Sequence, residues 1–155
     1  MNQTYLKVGL EAIWWVFTAV AVIAILAPVY LWTHDYPFYI SNALFIVITI
    51  TFARYAFFLR HTFLARLFWP KFLIIALSAI LVFVLITALG DFTNYLEERG
   101  LQTLVDHLHI ERQYKTMSYI QGEVIFFGIA SIISSALLAL RMLISIWRMY
   151  NRGTV

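Results

Sequence analysis

The sequence predicts an all-α integral membrane protein, a four-helix bundle with both termini in the cytoplasm. It also predicts one short amphipathic helix in the extracytoplasmic segment. Three observations carry this. The chain of 155 residues is 63% hydrophobic and only 12% charged, with a mean hydropathy of +0.83. Soluble domains run at roughly 45–50% apolar, and one this small buries only about two-thirds of the surface it exposes unfolded. Four continuous apolar stretches reach spanning length. All five tryptophans fall at or near the ends of those stretches, at the headgroup depth that suits a ring with one polar edge.

A spanning helix needs roughly 20 mostly apolar residues. The first span is expected at about 10–32, interrupted only by Pro28, and the second at about 38–59. The third, at 72–89, carries only Ser78 and Thr87 as polar side chains. The fourth lies within 119–147 and is longer than a bilayer requires, so it should tilt or protrude. Helices rather than strands follow because the runs are continuous, and lipid-facing backbone must satisfy its hydrogen bonds within its own segment. The first stretch is too long for a signal-peptide core and carries Glu11 near its start, so it reads as a retained span. The whole chain reads as one membrane domain, 1–155.

Lysine and arginine set the orientation. Lys7, Arg60, Arg66, Lys71, Arg148 and Arg152 fall on one side of four spans. The turn 33–37 on the other side has no basic residue, and acids outnumber Arg99, Arg112 and Lys115 in the segment 91–118. The first side is therefore expected to be cytoplasmic, in the inner membrane of a bacterium. Net charge is +3 and pI about 9.3; because the basic residues flank the spans, their expected partner is the anionic leaflet, not nucleic acid. The connection 60–71, with its bases and large aromatics, suits an interfacial segment or a docking point for another subunit.

Leu101, Leu104, Val105 and Leu108 repeat at helical spacing, with Gln102, Asp106, His109 and Gln113 on another face. They predict an amphipathic helix after Gly100 that lies on the outer surface or caps the bundle.

Ionisable groups at membrane depth cost roughly 2.5–3.5 kcal/mol on insertion scales, so each needs a reason. Glu11, Arg54, Asn42 and Glu123 form the candidate intramembrane polar cluster. For Glu11 the simpler expectation is a local pair with Lys7, leaving Arg54 to snorkel to headgroups; the alternatives are a buried Glu11–Arg54 tie and a proton or ion pathway. Glu123, beside Gln121 and Gly122, is expected to be solvated at the interface, or else to meet Ser41 and Asn42 in a small polar site. Arg141 is expected to snorkel.

No cofactor or metal is expected. Absence of cysteine removes disulfides, thiolate ligands and cysteine nucleophiles. None of the four histidines (His34, His61, His107, His109) lies in a span centre, where a bis-histidine haem would need two at matching depth. His107 and His109 are two apart, so on a helix they would point away from each other. Ser131, Ser134 and Ser135 have no histidine at their depth to act as a base. Gly128, Ser131, Ser135 and Ala139 instead form a small-residue stripe, a candidate helix-packing or partner face.

No motif names a reaction. The leading functional expectation is an accessory or scaffolding subunit of a larger inner-membrane assembly, bound to another membrane protein or to itself. A small oligomeric transporter or channel comes second, and a membrane enzyme or haem protein third.

Overall fold

The structure is a computed structural model that describes residues 3–59 and 68–151, with side chains from residue 8 onward. Arg60, His61, Arg66 and Arg152, the Lys7 side chain and most of the connection 60–71 lie outside that description. Helices α1 (Gln3–Trp32), α2 (Tyr39–Phe58), α3 (Trp69–Glu98), α4 (Gln102–Val105) and α5 (Ile110–Asn151) follow in chain order, with no strand among the described residues. Four of them, at Val8–Trp32, Tyr39–Phe58, Trp69–Glu98 and Ile110–Asn151, are long and apolar enough to cross a membrane. The chain therefore has the make-up of a multi-pass membrane protein.

Helix bounds depart from the apolar runs where the apolar run stops but the helical period continues. The expected non-spanning segment 91–118 is mostly helix. In the last turns of α3, Phe92 is buried and Tyr95 and Leu96 half-buried, while Asp91, Thr93, Asn94 and Glu97 are exposed. The first turns of α5 likewise bury Thr116 and Ile120. At 1.5 Å per residue α5 is about 63 Å long, roughly twice the thickness of a hydrocarbon core.

The amphipathic helix expected after Gly100 shrinks to the single turn α4. Gly100 ends α3 at φ 67°, with the Arg99 and Gly100 N–H groups bonded to the carbonyls of Tyr95 and Leu96, a left-handed cap that glycine adopts without steric cost. Leu101, Leu104 and Val105 are buried, and the His34 N–H donates to the Leu104 carbonyl. The turn thus caps the α1–α2 connection. Gln113 then donates its side-chain amide to the carbonyls of Leu108 at 2.8 Å and Asp106 at 3.2 Å, so those acceptors are met by α5 and not by a continued helix.

α5 is the centre of the molecule, with α2 and α3 packed along it and α1 resting mainly on α2. Pairs such as Asn42–Glu123 and Thr49–Phe127 put α2 parallel to α5. Lys71 against Met149 and Leu89 against Gly128 put α3 antiparallel to it. Both termini therefore share one end, here the terminal end, and the α1–α2 and α3–α5 connections share the other, the hairpin end. The main core lies toward the hairpin end and includes Val29, Phe45, Leu85, Phe92, Ile120 and Val124. A smaller cluster of Leu59, Leu138 and Met142 lies toward the terminal end.

Candidate functional site: two buried polar ties

The four polar residues singled out in the sequence do not form one cluster. They form two pairs, set apart by the twelve-residue step from Asn42 to Arg54 on α2, or about 18 Å along the helix.

In the tie nearer the terminal end, Arg54 Nη1 is 2.9 Å from Glu11 Oε2, with the two side chains 8% and 19% exposed. Arg54 reaches across to α1 and does not snorkel. The reason is the lining of its path: the guanidinium carbon stands 5.3 Å from the ring centres of both Trp14 and Tyr55, and aromatic faces attract a desolvated cation. Tyr55 also donates its hydroxyl to Glu11 Oε2 at 3.2 Å. Glu11, Trp14, Thr18, Ile25 and Val29 recur at three-, four- or seven-residue steps and form the narrow seam by which α1 meets the bundle.

The second tie lies toward the hairpin end. Asn42 Nδ2 donates to Glu123 Oε2 at 2.7 Å. Glu123 is 8% exposed and Asn42 fully buried, so the carboxyl is not solvated as expected, and Asn42 rather than Ser41 holds it. The burial arises because Glu123 lies on the α5 face that also carries Ile120, Val124 and Phe127, which pack into the main core. Two turns further along α2, Thr49 Oγ1 donates to the carbonyls of Phe45 at 2.7 Å and Phe127 at 3.2 Å, stitching α2 to α5. On the α1 side, Tyr119 donates its hydroxyl to the Ile25 carbonyl at 2.8 Å. That carbonyl sits beside the break made by Pro28, which has no N–H to give to the preceding turn.

Tyr36 completes this region. It is 3% exposed, with its ring centre 5.0 Å from that of Tyr39. Burial, reinforced by the neighbouring Glu123 carboxylate, holds its phenol above the usual range, so it is a neutral hydroxyl. Among the described residues Tyr36 Oη, Asn42 Oδ1 and Glu123 Oε1 are buried without a hydrogen-bond partner. Leaving a buried acceptor unmet costs about 1–3 kcal/mol, more for a charged group.

No protein-family model, curated protein or solved structure matches this chain.

The small-residue stripe is an internal seam. Gly128, Ser131 and Ser135 are buried and Ala139 half-buried. The hydroxyls of Ser131 and Ser135 fold back onto the carbonyls of Gly128 and Ser131 at 2.7 and 2.8 Å. They present little bulk and no unmet donor to the helix alongside.

Sequence reasoning overlooked several participants. Tyr55 follows Arg54 directly and Tyr119 precedes Glu123 by one turn, so their faces were legible; their partners across the bundle were not. Lys71, read as an interfacial base, is fully buried with Nζ 2.9 Å from Met149 Sδ. His34 and His107, distant in sequence, stack with ring centres 4.1 Å apart. His107 Nδ1 is 3.8 Å from Asp106 Oδ1. Among the described residues no three histidine, aspartate or glutamate side chains are placed to hold a metal ion.

Proposed function

We propose that this protein is an accessory or scaffolding subunit of a larger inner-membrane assembly, with both termini in the bacterial cytoplasm and the hairpin end, including α4, outside. The orientation rests on lysine and arginine: Lys71 and Arg148 lie toward the terminal end, and Lys7, Arg60, Arg66 and Arg152 adjoin the same helix ends in sequence.

The observation that supports the accessory role is the position of α1. It meets the bundle through a narrow seam, mainly on α2 and marginally on α5. A broad ridge of Ile13, Val16, Phe17, Val20 and Ile23 stays more than half exposed. Arg54 and Glu11 spend their charges holding this helix in place, not lining a path. A peripheral helix fixed by a buried ion pair, with its wide apolar flank free, suits attachment to a neighbouring membrane protein.

The test is extraction in mild detergent. The native chain should retain a stoichiometric membrane partner, and Val20→Trp with Ile23→Trp should shed it without lowering thermal stability. A purified chain that moves ions across liposomes unaided would overturn the accessory role.

That outcome would favour the second reading, a small oligomeric transporter or channel. Its support is Glu123, which lines a surface groove of about 410 Å³ together with Ile25, Tyr119, Phe126 and Phe127. A second copy seated there would enclose a carboxylate.

A further inference from the structure

We propose that Glu123, Asn42 and Tyr36 form a binding site for a small monovalent metal cation, sodium or potassium, entered through the groove between α1 and α5. The inference rests on the membrane reading of the chain and is independent of the accessory role.

The first ground is unmet valence. Glu123 Oε2 accepts from Asn42 Nδ2, but among the described residues Glu123 Oε1 and Asn42 Oδ1 have no hydrogen-bond partner, and Tyr36 Oη has only the nearby Asn42 amide, outside hydrogen-bond geometry. Tyr36 lies beside Asn42 and within electrostatic reach of Glu123. Its single O–H can satisfy at most one of the neighbouring acceptors. Turned onto Asn42 Oδ1, it still leaves Glu123 Oε1 bare. Buried oxygens in this condition call for a water, a proton or an ion.

The second ground is ligand chemistry. A carboxylate, a carboxamide oxygen and a phenol oxygen are hard donors, suited to hard cations and not to soft metals. The site has one carboxylate, and no salt bridge reaches Glu123 among the described residues. One positive charge neutralises it. A divalent ion would leave a net charge in a region of low dielectric, which the bilayer penalises.

The third ground is access. Ser118 and Gly122 precede Phe126 on one face of α5 and, being small, leave that wall of the groove open beside Glu123. Asn42 is the third residue after the start of α2, about 5 Å along the helix. An ion arriving from the hairpin end therefore need not cross the bilayer centre.

The experiment uses the purified full chain in detergent and dicyclohexylcarbodiimide, an apolar reagent that modifies carboxyl groups in their protonated form. Peptide mapping by mass spectrometry reads the modified position. Modification of Glu123 is expected in choline chloride, and it should fall several-fold when sodium or potassium chloride replaces choline at equal ionic strength. In a second measurement, one of those salts should raise the melting temperature of the native chain relative to choline, and Glu123→Gln should abolish that rise. Modification of Glu123 that is indifferent to every cation would overturn the proposal in favour of a proton or water. So would a Glu123 that reacts only after unfolding, because the groove would then give no access. Equal salt effects on the melting temperature of native and Glu123→Gln chains would also reject it.

Discussion

Gly128 of α5 and Leu89 of α3 meet so closely that a Cβ added to the glycine would stand 2.7 Å from Leu89 Cδ1. The contact lies at the start of the buried seam that continues through Ser131 and Ser135. The atom approached is the far end of a flexible side chain, so a single methyl group can be absorbed by a rotamer change.

Gly128→Ala should therefore be nearly neutral, because relief of the helix-propensity penalty of glycine, about 1 kcal/mol, offsets the crowding. Gly128→Leu should cost about 1–3 kcal/mol by overpacking. Thermal unfolding in detergent separates the two. Equal tolerance of alanine and leucine would mean that α3 does not lie against this face.

The Arg54–Glu11 pair predicts non-additive substitution. Glu11→Gln strands a guanidinium that is 8% exposed, and loss of one partner of a buried pair costs roughly 3–5 kcal/mol. Replacing both, as Glu11→Leu with Arg54→Met, should be less damaging than either single change. Additive effects in a double-mutant cycle would show the two charges acting independently.

Thr49 donates to carbonyls of both α2 and α5, so Thr49→Val keeps the shape and removes the bridge. Interhelical side-chain hydrogen bonds in membrane proteins average about 0.6 and reach about 1.7 kcal/mol. A loss within that range is expected for Thr49→Val, with little change for Thr87→Val. Among the described residues the Thr87 hydroxyl bonds only to Phe83 of its own helix. A comparable loss at both positions would count against an α2–α5 stitch.

Orientation has a direct test in intact cells. Asp35 and Gln102 are exposed and both lie at the hairpin end. Single cysteines there should react with a membrane-impermeant thiol reagent, and one at Ala65 should not. Labelling at Ala65 with none at Gln102 would invert the topology.

The class of this protein is legible in its hydropathy alone. Continuous apolar runs admit only helices in lipid, and the existence and order of the four long helices followed from them. The ends of α3 and α5 were less legible: hydropathy falls off at Asp91 and before Tyr119, while the helical period in Phe92, Tyr95, Leu96, Thr116 and Ile120 continues. Tertiary structure decided the rest. Arg54 could snorkel or cross to Glu11, and the packing of α1 on α2, which brought the Glu11 carboxylate and the Trp14 ring within its reach, made the crossing favourable. Glu123 could face water or Asn42, and the rotation of α5 about its own axis settled which. Gly128 promised a close helix contact without naming the helix; α3 supplied it through Leu89. In each case the sequence fixes which side chains share a helix face. What that face meets depends on helix rotation and neighbour order, and these are set by the summed packing of all the helices.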